Sequence, residues 1–275
     1  MKGLFQPKPP LLVLALLLSF LLVSCGVTAA TEDSLLQANR LYEKEQYDEA
    51  ILVYQKLVQN GIHDAIVYYN LGNACYKNAD IGCAILNYRR AQRLQPRDLD
   101  IKTNLTLARA QTADLLELEP KIFPAFVYGF LSDWNNANEN ALFTLAAWVI
   151  LCLAVSGSIL ARRKRAWNPI IILLTAALFL MSSASLGIHM VQIFGPPQAV
   201  IQAEIVDVRS GPGESYITEF QLHAGAEVQV IEPRSGWLRI QAPGDLQGWA
   251  PAESLETLQV FSTARRMSIM DMEED

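Results

Sequence analysis

Two apolar runs constrain this chain more than anything else in it. Ala141–Leu160 and Pro169–Phe194 contain no Asp, Glu, Lys or Arg, and between them lie Arg162, Arg163, Lys164 and Arg165. A hydrocarbon core about 30 Å thick needs roughly 20 apolar residues in a helix, and both runs reach that length. A buried core helix of that length would carry some charge, so the expected architecture includes two transmembrane helices, over residues 141–161 and 169–194, joined by a short loop, 162–168. Ser156, Gly157 and Ser158 in the first run, and Ser182, Ser183, Ser185 and Gly187 in the second, are expected to let the helices approach closely.

The four cations decide the orientation. Lys and Arg beside a span stay on the cytoplasmic side, so the loop is expected inside and both flanking regions outside. The N-terminus agrees. Lys2 and Lys8 precede the apolar stretch Leu11–Cys25, and small residues follow, which is the pattern of a secretory signal over residues 1–30. Its exit reads two ways: the lipobox-like LVSC would make Cys25 a lipidated N-terminus, whereas TAA, Thr28–Ala30, suits ordinary cleavage. The expected location is the bacterial cytoplasmic membrane, with both folded regions on its outer side. A nucleic-acid role for the cluster is not expected in so short a turn, on a chain of net charge −6.

Residues 32–117 repeat with a period of 34. Asn39 aligns with Asn73, Tyr42 with Tyr76, Ala50 with Ala84, Ile51 with Ile85 and Tyr54 with Tyr88. Small residues at Gly72 and Ala84 would let two helices cross closely, with Tyr68, Leu71 and Tyr88 beside the crossing. An amphipathic segment, Asp98–Glu117, carries Ile101, Leu105 and Ala108 at helical spacing and is expected to cap the stack, with Asp98 as its N-cap. Tyr68, Leu71, Gly72, Ala84, Tyr88, Ala91 and Pro96 give this region its resemblance to the tetratricopeptide repeat. The resemblance implies a concave face lined by Leu35, Asn39, Tyr42, Tyr69, Asn73, Tyr76 and Lys77, with the Asn positions available to a peptide. Cys75 and Cys83 are expected on different helices, and nothing in their spacing requires a bond between them.

Residues 118–140 contain Phe123, Phe126, Tyr128, Phe130 and Trp134, a set suited to a membrane interface or to packing on the repeat region. After the second run, residues 197–257 change character. Short alternating stretches punctuated by Gly225, Gly236, Gly244 and Gly248 indicate a small all-β barrel, followed by an acidic tail, 258–275. VDVRSGPG (Val206–Gly213), LHAGAEVQV (Leu222–Val230), SGWLRI (Ser235–Ile240) and GWAPAESLE (Gly248–Glu256) resemble the bacterial SH3 domain, with Asp207 where Asn is usual. Trp237 and Trp249 are expected to pack, and the resemblance allows binding to cell-wall peptide.

The expected fold class is therefore a multidomain membrane protein: an all-α repeat domain, a two-helix transmembrane hairpin and a small SH3-like barrel. No catalytic or metal-binding pattern is present, and His63, His189 and His223 are scattered. A non-enzymatic role without cofactor is expected. The order of parts, with DLDIKTNLTLAR (Asp98–Arg109) after the repeats, resembles the BatE-type proteins of the Bat (Bacteroides aerotolerance) system. That resemblance implies, as partners, membrane proteins with von Willebrand A domains and, indirectly, a MoxR-type ATPase. The expected function is a membrane-anchored scaffold for envelope proteins, or alternatively a peptidoglycan-binding sensor or anchor.

Overall fold

A computed structural model describes residues 29–114, 136–160 and 167–259. The signal segment up to residue 28 with Cys25, the aromatic stretch before Asn136, the basic turn Arg162–Arg165 and the tail beyond Gln259 lie outside the described residues.

Five helices form the N-terminal body: α1 (Ala29–Glu43), α2 (Tyr47–Gln59), α3 (Ala65–Lys77), α4 (Ile81–Leu94) and α5 (Leu99–Arg109). Aspartates start three of them. Asp64 accepts from the Ile66 amide, Asp80 from the Cys83 amide, and Asp98 from the amides of Asp100 and Ile101, which satisfies donors that the first helical turn leaves open. Left-handed residues follow α1 and α3. Glu45 and Ala79 have φ of 60° and 61°, and they lie 34 residues apart. Around each, two backbone bonds turn the chain back on the helix: Gln46 to Leu41 and Glu45 to Tyr42, then Asp80 to Cys75 and Ala79 to Tyr76.

Neighbouring helices run antiparallel. Between α3 and α4, Tyr68 lies under the Arg90 guanidinium at 5.8 Å, Gly72 faces the Tyr88 ring, and Cys75 is bonded to Cys83. A Cβ on Gly72 would lie 2.7 Å from that ring, so the tight crossing expected there is present. The disulfide is a bond that the spacing of the two cysteines did not require. It forms because the Asp80-capped turn brings their Cα atoms to 5.7 Å, inside the range a disulfide can span. The capping helix is shorter than expected and stops at Arg109, where Thr112 Oγ1 donates to the Arg109 carbonyl and the chain leaves to meet the β domain.

α6 (Ala137–Leu160) and α7 (Trp167–Phe194) pack as an antiparallel hairpin, and both are long and apolar enough to cross a membrane. Asn136 and Glu139 start α6 reciprocally: the Glu139 amide donates to Asn136 Oδ1, and the Asn136 amide reaches Glu139 Oε2. Inside the hairpin Asn140, 2% exposed, donates from Nδ2 to Ser185 Oγ at 2.7 Å. The small residues act less uniformly than expected. Ser185 is buried at the contact, but a Cβ on Gly157 or Gly187 would meet nothing within 4 Å, so these glycines do not set the helix separation.

Seven strands follow: β1 (Gln198–Ile201), β2 (Ile205–Arg209), β3 (Thr218–His223), β4 (Glu227–Arg234), β5 (Trp237–Ala242), β6 (Leu246–Pro251) and β7 (Leu255–Thr257). They form one antiparallel sheet in the order β3-β2-β6-β5-β4-β1-β7. Alternation puts Val206 and Val208 of β2, Val228 and Val230 of β4, and Ile240 and Ala242 of β5 into its core. Trp249 is 8% exposed, as expected of a packing residue, whereas Trp237 is only half-buried.

Candidate functional site

The repeat face is built around two hydrogen-bond nodes. Asn39 Oδ1 accepts from Tyr54 Oη at 2.6 Å and from Asn70 Nδ2 at 3.2 Å. Asn73 Oδ1 accepts from Tyr88 Oη at 2.8 Å and from Asn104 Nδ2 at 3.0 Å. Each member of the second node is 34 residues beyond its counterpart in the first. α5 therefore stands to α3 as α3 stands to α1. Burial favours the neutral phenols of Tyr54 and Tyr88, lifting the Tyr54 pKa to about 12 and that of Tyr88 further.

The seven residues expected on the concave face fall into distinct situations. Leu35 packs on the core of the helical body, and Tyr42 meets Tyr47 edge to face at 5.4 Å, its pKa also raised by burial. Asn39 and Asn73 have their carbonyl oxygens occupied by the nodes, so an incoming peptide would meet their amide groups. Tyr69 Oη accepts from Asn104 Nδ2, and Tyr76 Oη from Gln111 Nε2. α5 and the turn after it thus lie over the second unit's share of the face. Lys77 is exposed beside it. Asn70 and Asn104 were missed as members of this network, although their own spacing of 34 was the available signal.

The second face is on the β domain. Arg209 holds the carbonyls of Glu214 and Tyr216, which folds the loop between β2 and β3. The Tyr216 ring lies so close to Gly211 that a Cβ there would collide with it, which explains the glycine in the RSGPG stretch. Asp207, in the position where Asn is usual, accepts from Gln221 across the β2–β3 pair. Ser210, Glu219, Arg239, Gln247, Gly248 and Trp249 line a cavity of about 360 Å³. Its charged members, Glu219 and Arg239, give it both signs.

The opposite edge of the sheet is docked on the helices. Glu227, 8% exposed, takes Arg89 Nε at 2.9 Å and Arg109 Nη2 at 2.6 Å. Arg90 is 8% exposed; its Nη2 reaches Glu256 at 2.8 Å and the Thr257 carbonyl at 2.7 Å. At the other end of the strand order, Asp114 accepts from the amide of His223, the last residue of β3, at 2.6 Å. Apolar contacts complete the joint, because Val200 of β1 and Leu258 belong to the same buried cluster as Tyr54, Ile85 and Tyr88. Backbone approaches backbone there: a Cβ on Gly82 would lie 2.7 Å from the Ile201 carbonyl. The arginines of this joint were not singled out in the sequence. The available signal was the Arg89–Arg90 pair within a helix that is otherwise largely buried.

Since the two bodies touch, they lie at the same end of the hairpin. Arg97 Nη2 binds both Glu139 oxygens at 3.0 Å, Asn136 Nδ2 donates to the Leu94 carbonyl, and Gln259 Nε2 donates to the Ile193 carbonyl. Residues 206–256 match the family described as Bacterial SH3 domain. No curated protein matches the chain.

Proposed function

We propose that this chain is a non-enzymatic adaptor anchored in the bacterial cytoplasmic membrane, presenting a tetratricopeptide-repeat module and an SH3b module outside the cell membrane as one joined body. The observation that carries the reading is the division of labour on the β domain. Its β1–β4–β7 edge is consumed by the helices through Glu227 and Glu256, while the polar cavity beside Arg239 and Trp249 stays open. A module whose docked edge and open cavity lie on separate parts of one sheet can be held by its neighbour and still take a partner.

The face around Tyr42, Asn39 and Lys77 would offer aromatic surface and amide donors to an extended peptide. Envelope membrane proteins are the partners this reading favours. The Bat-type resemblance names von Willebrand A-domain proteins as candidates, with a MoxR-type ATPase reached indirectly. A peptidoglycan-binding role is the second reading, favoured by the match to the SH3b family and by a cavity with both charge signs for a zwitterionic peptide stem.

One experiment separates the two. The full chain in detergent is sedimented with isolated cell wall, and in parallel is crosslinked in native membranes and its partners identified. Specific crosslinks to membrane proteins that Tyr42→Ala and Lys77→Ala weaken, without cell-wall retention, support the adaptor. Retention that Arg239→Ala abolishes supports the wall-binding reading.

A further inference from the structure

We propose that the end of the helical body formed by the α3 start and the α4–α5 corner rests in the membrane interface and inserts Leu99 and Leu94 at the boundary between lipid headgroups and acyl chains. The inference rests on the reading of α6 and α7 as membrane spans, and adds to it a lipid-binding surface on the part of the chain outside the bilayer.

The helices alternate in direction, so the first turn of α3, the last turn of α4 and the first turn of α5 share one end of the body. Large apolar side chains stand exposed at that end: Ile66 is 55% exposed, Leu94 38% and Leu99 74%. Exposure alone does not single them out, since Leu52 is 65% and Leu107 51% exposed elsewhere on the body. Their position does. The Leu94 carbonyl receives Asn136 Nδ2, and Arg97 holds Glu139, so the corner between Leu94 and Leu99 is fixed to the first turn of α6. Glu139 is two residues from the start of the uncharged run, a rise of about 3 Å along the helix. The corner is therefore held within a side chain's length of the apolar region.

The far side of the hairpin is tied in the same way. Only residues 195–197 separate α7 from β1, and Gln259 Nε2 donates to the Ile193 carbonyl. With both attachments short, the body has little room to stand off. The lipid interface is then the occupant that the geometry provides for Leu94 and Leu99. Arg97 sits between them, with its charge at the headgroup level and paired with Glu139.

The test uses the full chain reconstituted in phosphatidylethanolamine–phosphatidylglycerol vesicles, on a Cys25→Ser background. A spin label is placed in turn at the native Cys152, at Leu99→Cys and at Leu107→Cys, the last two with Cys152→Ser. Leu107 is 51% exposed on the same helix, about 12 Å further along its axis. The quantity read is accessibility to oxygen, which concentrates in lipid, relative to a water-soluble nickel chelate. The ratio at Leu99 should exceed that at Leu107 several-fold and approach that at Cys152. A water-like ratio at Leu99 with a lipid-like one at Cys152 overturns the inference and leaves the spans standing. A water-like ratio at Cys152 overturns the membrane reading itself, and this inference with it.

Discussion

Arg90 on α4 and Glu256 on β7 are 166 residues apart and meet at 2.8 Å. The same guanidinium also donates to the Thr257 carbonyl and covers the face of Tyr68 at 5.8 Å. One side chain thus closes the joint between the helical body and the β domain. Arg90→Ala should lower stability by about 2 kcal/mol, the low end for truncating a buried, hydrogen-bonded charge, because Glu256 remains 42% exposed to screening water. Hydrogen exchange at residues 255–257 should accelerate while that of β5 and β6 does not. Arg90→Lys should recover only part of the loss, since one ammonium cannot reproduce the planar set of contacts. Unchanged protection of β7 would remove Arg90 from this role.

The approach of Gly82 to β1 gives a prediction in which the sign decides. Gly82 is inside α4, so Gly82→Ala should favour the helix by up to about 1 kcal/mol if nothing else intervened. The added Cβ, however, would meet the Ile201 carbonyl at 2.7 Å and Gln202 Cα at 3.2 Å. Backbone cannot yield as a side-chain tip can, so a net loss of about 1–3 kcal/mol is expected in thermal unfolding of the detergent-solubilised chain. Gly157→Ala in α6 meets no atom of the neighbouring helix and should be neutral or stabilising. Stabilisation by Gly82→Ala would mean that the two bodies separate freely.

The Cys75–Cys83 bond closes a loop of 8 residues between two buried positions. Its removal by the double change to Ala should cost about 2–3 kcal/mol from the loop-entropy relation alone. Because Cys75 is fully buried, the native chain should resist mild reductant until it is partly unfolded, and alkylation followed by mass spectrometry would measure this. Free thiols at both positions in the purified, untreated protein would contradict the bond.

Tyr54 and Tyr88 make the helical body sensitive to base. Burial raises both phenols above their ordinary value of 10, Tyr54 to about 12. The folded state then keeps protons that the unfolded state releases. Stability from these groups is complete below pH 10 and falls as pH rises through 10 towards 12. Ultraviolet titration should show a delayed phase of tyrosine ionisation, containing Tyr54 and Tyr88, that proceeds only together with loss of helix. Tyr54→Phe with Tyr88→Phe should shrink that delayed phase. It should also destabilise at neutral pH, because Asn39 and Asn73 each lose a donor. Ionisation of Tyr54 and Tyr88 near pH 10 without unfolding would refute the burial argument.

The parts legible in the sequence are those fixed by local periodicity. The absence of charge marked the hairpin helices. The spacing of 34 marked Ala50 and Ala84, both fully buried, and alternation with Gly-Pro-Gly marked β2 and the loop that Arg209 holds. The joint between bodies was not legible, because Arg89, Arg90 and Arg109 look like ordinary helix-surface cations until Glu227 and Glu256 arrive from more than a hundred residues away. The disulfide was equally hidden, since its formation depends on the left-handed turn at Ala79. Gly157 and Gly187 err in the other direction: their size suggested packing, and size alone does not say which side of a helix faces its neighbour.

The proposed sidedness is open to chemical labelling. The helical body and the β domain touch through Arg89 and Glu227, so on the proposed reading of α6 and α7 as spans both bodies share one side, while Arg162–Arg165 fall between the two helices in sequence. Since cationic loops are retained inside, a membrane-impermeant maleimide applied to intact cells with a permeable outer layer should label Glu253→Cys. Glu253 suits the probe because it is exposed, unlike its neighbour Ser254, which is buried and donates to the Pro251 carbonyl. Leu52→Cys on α2, 65% exposed, should label equally, whereas Ala166→Cys should label only after the cytoplasmic membrane is opened. All three are read on a Cys25→Ser, Cys152→Ser background. Labelling at Ala166 with protection at Glu253 and Leu52 would invert the topology. Labelling at Glu253 without Leu52 would place the two bodies on opposite sides, which the Arg90–Glu256 contact forbids.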